Sequence, residues 1–100
     1  MKAEMHNYSQ WIDGTNHNEL RGKFLNLLNE SGFDVLGEID HHFKPSGYTL
    51  LCLLGESHFA IHTFPEHNRT YIELSSCVEK PFVLFLHKMS SDECSVELLS

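Results

Sequence analysis

Leu20, Phe24, Leu27 and Leu28 recur at the i, i+4, i+7 and i+8 spacing of one helix face. Asn16 or Asn18 stands where an N-cap belongs and Gly32 falls just past the stripe, so this stretch predicts a first helix. Gly22 lowers its propensity without interrupting the stripe. The period then changes. Phe33, Val35, Gly37 and Ile39 alternate loosely, predicting a strand within 33–43, and Lys44-Pro45-Ser46-Gly47 reads as a turn. Residues 48–54 are almost unbroken apolar sequence, too short for a buried helix and suited to a strand covered on both faces. Gly55 ends that run; 57–64 and 70–76 predict two further strands around a turn at 65–68. Pro81 stands at the favoured first position of a second helix, whose inner face is Phe82, Phe85, Leu86 and Met89. Ser90-Ser91-Asp92 turns the chain into a short last strand near 95–98, and the segment before Gly14 predicts an edge strand at most.

The order is (β)αβββαβ in one domain, residues 1–100. Three successive strands joined by tight turns pair antiparallel, and two helices cover only one face of their sheet. The expected fold is an α+β two-layer sandwich. Its second face carries part of the apolar 48–54 strand, and a second copy of the chain, giving a homodimer, is the expected cover.

Composition narrows the function. Seven basic against 14 acidic residues give a net charge of −7, which repels phosphate backbones and anionic membranes, so no nucleic-acid or membrane partner is expected. The same field tolerates a cationic small molecule, and the eight His would erode it below about pH 6.5. Neither an 18-residue apolar run nor an apolar signal segment is present, and the odd set Cys52, Cys77 and Cys94 lacks a CxxC pair. A cytoplasmic protein with reduced thiols is the expectation.

The densest chemistry lies in 55–66. His58 and His62 mimic a metal pair, but on a strand they would stand roughly 13 Å apart, and the adjacent His41 and His42 point to opposite faces, so no metal is expected. Ser57 has His62 nearby in sequence and Glu56 or Glu66 to orient it, yet G-x-S-x-G is absent. On residue types alone, Ser57 fits equally as a polar turn residue and His62 as a satisfied core histidine.

A longer pattern decides more. Phe43-Lys-Pro45-Ser-Gly47 is followed by an apolar strand, then by Glu56-Ser57-His58-Phe-Ala-Ile61-His62-Thr63-Phe-Pro65-Glu66, then by Cys77. Residues 43–77 thereby resemble the core of the prokaryotic S-adenosylmethionine decarboxylase proenzymes, which carry F-x-P-x-G, E-S-H-x-x-I-H-T-x-P-E and a cysteine at these spacings. The Ser31 to Phe33 end of the first helix fits as well.

The resemblance implies a self-cleaving, pyruvoyl-dependent carboxy-lyase. The Ser57 hydroxyl would attack the Glu56 carbonyl, and elimination would then free residues 1–56 from 57–100 and leave a pyruvoyl group in place of Ser57. That group would form a Schiff base with the substrate amine and take up electrons as CO₂ leaves. The product, decarboxylated S-adenosylmethionine, would serve polyamine (spermidine) synthesis. By motif position His62 and Thr49 are processing residues and Cys77 is the proton donor; Glu66 would hold the ribose and Phe43 and Phe64 the adenine and sulfonium. Cys52 and Cys94 match no functional position and read as small hydrophobes. Parity sets Ser57 and His62 on opposite faces of a strand, so a bulge or turn is expected near the cut, with Gly55 to permit it. The chain departs from the family at Gly55, Phe64, Glu73 and Val78, and its second helix is short; no reacting group is lost. Two other readings stay open: a pyruvoyl decarboxylase of a basic amino acid such as ornithine or arginine, and a regulatory paralogue that never cleaves.

Overall fold

The computed structural model describes residues 4–91 and 98–99. The chain runs β1 (His6–Asp13), α1 (His17–Ser31), β2 (Gly37–His42), β3 (Tyr48–Leu53), β4 (His58–Phe64), a 3₁₀ turn (Pro65–His67), β5 (Arg69–Ser76), α2 (Glu79–Met89) and β6 (Leu98–Leu99). One sheet in the order β2-β3-β4-β5-β1-β6 holds all six strands, each antiparallel to its neighbours. The α+β sandwich read from the sequence is the fold.

Asn16 caps α1, its Oδ1 accepting from Glu19 N–H at 3.1 Å. At the other end Gly32 takes φ 103°; its N–H donates to Asn29 O at 3.1 Å and that of Phe33 to Leu28 O at 2.9 Å, a Schellman closure. Phe33 is thereby turned into the core instead of opening a strand, and β2 starts only at Gly37, four residues later than the sequence predicts. The α1 stripe packs on the sheet through Phe24, whose ring lies 5.3 Å from Phe59 and 6.5 Å from Phe85 of α2. Leu50, Cys52, Ile61, Ile72 and Leu74 complete this buried layer from the strands.

Two expectations need correction. Pro81 is the third residue of α2, not its first; an absent N–H is still harmless within the first turn. The segment before Gly14 is an interior strand, paired with β5 over its whole length and with β6 on its other side. Within one chain β3 is covered on one face, with Tyr48, Leu50 and Cys52 buried; Leu51 and Leu53, 46% and 54% exposed, lie on the face for which the sequence predicts a second copy as cover. Of the last predicted strand only Leu98 falls in β6; 95–97, Asp92 and Cys94 lie outside the described residues.

Alternation leaves the face opposite the helices in ordered rows. Ile39, Leu51, Ala60, Glu73 and Ser9 form one, and His41, Thr49, His62, Tyr71 and Trp11 the next. No helix of the described residues covers this open face, and none is long and apolar enough to cross a membrane.

Candidate functional site

The residues singled out from the sequence gather in two places, at opposite ends of β3 and β4. Register brings the first group together. Thr49 stands directly across from His62, and their Oγ1 and Nδ1 atoms are hydrogen-bonded at 2.9 Å on the open face. The turn before β3 adds Phe43, the end of β4 adds Phe64 and the 3₁₀ turn adds Glu66, so that all five line one cleft of about 350 Å³. Two aromatic rings, an imidazole and a carboxylate therefore face a single space. Phe64 is backed by Trp11, whose centroid is 5.6 Å away; Trp11 is held in turn by Tyr71 at 5.0 Å and by the Arg69 guanidinium 4.6 Å above its ring. The sequence did not single out this support, because its members are scattered over β1 and β5 and meet only through strand pairing.

Tyr48 anchors the cleft from beneath. Its hydroxyl donates to Asp40 Oδ2 at 2.8 Å and its backbone N–H to Thr63 Oγ1 at 2.9 Å. Burial, reinforced by the Asp40 carboxylate, pushes the Tyr48 phenol up to about 12.

The second group surrounds the Glu56–Ser57 peptide. Gly55, with φ 77°, and Glu56 form a two-residue hairpin turn, closed by Leu54 N–H donating to Ser57 O at 2.8 Å. Pairing of β3 with β4 runs in unbroken register up to this turn, so no bulge shifts the parity of β4 and Ser57 stays on the face opposite His62. Glu56 is exposed, while Ser57 is 1% exposed and lies on the helix side, its hydroxyl donating to Ser76 Oγ at 3.0 Å. The Cys77 thiol donates to Glu56 Oε2 at 3.4 Å. Ser76 also escaped the sequence reading; its one signal was a hydroxyl at an inward position of β5, after Thr70, Ile72 and Leu74.

Within one chain the two groups do not meet. Five residues of straight strand put Ser57 and His62 about 16 Å apart, and their side chains leave the sheet on opposite faces. The remaining candidates also separate. Burial raises the Cys52 thiol's pKa, in keeping with a core role. His42 turns toward His17 and Tyr48, with ring centroids 4.9 and 4.8 Å away, while His41 lies in the open-face row of Thr49. Among the described residues no three His, Cys, Asp or Glu side chains converge as metal ligands.

The family model for S-adenosylmethionine decarboxylase matches residues 10–95. An S-adenosylmethionine decarboxylase proenzyme of Parasynechococcus marenigrum is 34% identical over 77 residues, covering 77% of this chain and 55% of that one. The Archaeoglobus fulgidus proenzyme is 37% identical over 71 residues, covering 66% and 63%, and proenzyme 2 of Bacillus anthracis is 47% identical over 58 residues, covering 58% and 47%. The chain thus spans about half the length of the curated relatives it matches. In fold it is similar to the crystal structure of the adenosylmethionine decarboxylase from Aquifex aeolicus, with a TM-score of 0.67 at 15% identity over 99% of this chain and 91% of that one. Because the matched stretch takes in both the cleft and the Glu56–Ser57 turn, the chain belongs to the S-adenosylmethionine decarboxylase family.

Proposed function

We propose that this chain cuts itself between Glu56 and Ser57 and then decarboxylates S-adenosylmethionine, giving the decarboxylated product used in spermidine synthesis. The observation that carries the reading is the setting of the scissile peptide: a hairpin turn presents Glu56 to solvent while the adjoining Ser57 hydroxyl is buried and hydrogen-bonded. The residues fit a pyruvoyl group formed in place, since Ser57 stands between the turn and β4, which begins at His58, and only the turn is opened when the bond before it is cut. Such a group supplies a ketone that accepts electrons during loss of CO₂.

The chain's own residues do the rest. Phe43 and Phe64 offer ring faces to adenine and to the sulfonium cation, and the Glu66 carboxylate can accept from both ribose hydroxyls. The Cys77 thiol, beside the cut and hydrogen-bonded to Glu56, returns a proton to the substrate Cα.

A homodimer completes the site. Laid open face to open face with strands antiparallel, a second copy sets its Thr49–His62 pair and cleft over the first chain's turn, at the exposed Glu56 side of the bond. Ile39, Leu51 and Leu53 supply the apolar contact, being 69%, 46% and 54% exposed on β2 and β3. From that position His62 moves protons and Thr49 hydrogen-bonds the ester.

Intact-mass spectrometry of purified protein, followed by CO₂ release from labelled substrates, tests this. The expected result is two fragments cut after Glu56, the second blocked by a ketone, with CO₂ from S-adenosylmethionine. A single 11.5 kDa species with an ordinary amide at Ser57 would overturn self-processing. Release from ornithine or arginine alone would overturn the substrate.

A further inference from the structure

The Ser57 hydroxyl has a partner that the family motif does not supply. Ser76, the last residue of β5 and fully buried, accepts its hydrogen at 3.0 Å. The same Ser76 oxygen accepts from Val78 N–H at 3.1 Å, and its own hydrogen goes to the Val78 carbonyl at 3.1 Å. Val78 therefore fixes Ser76 through both backbone groups, and Ser76 fixes the orientation of Ser57. No imidazole or carboxylate makes a hydrogen bond to the Ser57 hydroxyl among the described residues; Glu56 points its carboxylate at Cys77. Ionising a base in so buried a place would be costly, whereas a hydroxyl works there without charge.

Given self-processing at Glu56–Ser57, on which this depends, we propose that Ser76 is a catalytic residue of the first processing step. Ser57 Oγ bonds to the Glu56 carbonyl carbon, and the bond from that carbon to the Ser57 nitrogen breaks. The nitrogen gains the proton that Oγ loses, so net charge is unchanged and nothing is oxidised or reduced. Ser76 accepts that proton from Oγ as its own hydrogen leaves the Val78 carbonyl for the Ser57 nitrogen, a relay that starts and ends on Ser57. Its task ends once the ester exists; the later elimination belongs to groups that reach the exposed Glu56 side.

The test follows the cutting of freshly purified full-length chains on denaturing gels, for the unaltered protein and for Ser76→Ala, Ser76→Thr and Ser76→Cys, with and without hydroxylamine, which opens esters but not amides. Ser76→Ala should slow cutting by at least about tenfold, Ser76→Thr should stay within about threefold, and hydroxylamine should not speed the Ala variant, because its ester never forms. Near-ultraviolet dichroism checks the fold of each. If the Ala variant does not fold, Ser76→Cys, of similar volume and weak hydrogen bonding, replaces it under the same criteria. Cutting of the Ala variant within twofold of the unaltered chain, equal slowing of Ala and Thr, or rapid hydroxylamine cleavage of the Ala variant would each overturn the role of Ser76. Failure of the unaltered chain to cut would instead overturn self-processing.

Discussion

If Thr49 and His62 act on the Glu56–Ser57 bond, they do so from a second copy, and mixed dimers expose this. The separation of about 16 Å along β4 far exceeds the roughly 3 Å over which a side chain passes a proton, and no rotamer of His62 carries it through the sheet. A His62→Ala chain alone should therefore cut slowly, by roughly 10²–10⁴-fold, the usual contribution of a general acid–base group. A Ser57→Ala chain has no hydroxyl and should not cut at all. Made together in equal amounts, the two chains assort into mixed pairs in about half of the dimers. In each mixed pair the intact Ser57 of the His62→Ala chain meets the intact His62 of its partner. About half of the His62→Ala chains should then cut at nearly the unaltered rate, and none of the Ser57→Ala chains. Tags of different mass and a denaturing gel read both populations at once. Two results would refute the reasoning: a mixture that cuts no faster than His62→Ala alone, or a His62→Ala homodimer that cuts as fast as the unaltered protein.

Leu51→Asp puts a charge on the open face where the side chain is already 46% exposed, so the monomer should keep its stability within about 0.5 kcal/mol while sedimentation shows the dimer lost and cutting slowed; an intact dimer would refute the interface. Tyr48→Phe removes the bond to Asp40 and should cost about 1 kcal/mol at neutral pH. The phenol holds its proton up to about 12 when folded against 10.0 for the free group, so its contribution is complete below pH 10 and falls by up to about 2.7 kcal/mol as pH rises to 12. Urea titrations between pH 9 and 12, where roughly that fall should appear in the unaltered chain and vanish in the Phe variant, check the sign. Glu66→Gln should raise KM for S-adenosylmethionine by about tenfold with kcat and self-cutting unchanged, since a charge-assisted bond to ribose is worth about 1.5–3 kcal/mol; a fall in kcat alone would place Glu66 elsewhere in the reaction.

Where one periodicity governed, the sequence was enough. The Leu20–Phe24–Leu27–Leu28 stripe and the Asn16 and Gly32 caps mark α1 because helix ends depend on local bonds. The two faces of β3 could not be told apart locally: Leu51 and Leu53 are apolar like their buried neighbours, and nothing local records that their side of the sheet carries no helix of the same chain. Phe33 shows the converse, an apolar residue that looks like the start of a strand and is used to close a helix. At the site, motif spacing identified the residues but not their partition into two clusters. That partition follows from strand parity and from register, which sets Thr49 across from His62 and Ser57 against Ser76 on the other side. Ser76 was overlooked because either member of the Ser75-Ser76 pair before Cys77 can face inward until the register of β5 is known.

The sheet order explains how such a protein can survive being cut in two. Severance after Glu56 would assign β1, α1, β2 and β3 to one fragment and β4, β5, α2 and β6 to the other. Across the sheet these alternate: β2-β3 from the first fragment, β4-β5 from the second, β1 from the first again, then β6 from the second. The fragments would remain joined by the six aligned pairs of β3 with β4 and the eight of β1 with β5. The buried rings cross the same divide, with Phe24 of the first fragment between Phe59 and Phe85 of the second. Separating the pieces would thus expose nearly the whole core, whereas cutting the chain removes only the Gly55–Glu56 turn. A turn between two central strands is a place where a backbone can be opened with little loss of structure. The new end at residue 57 would then be free of β3, and with its Oγ carried off in the Glu56 carboxylate it would no longer be held by Ser76, so parity would no longer keep it from the open face and the cleft of a second copy.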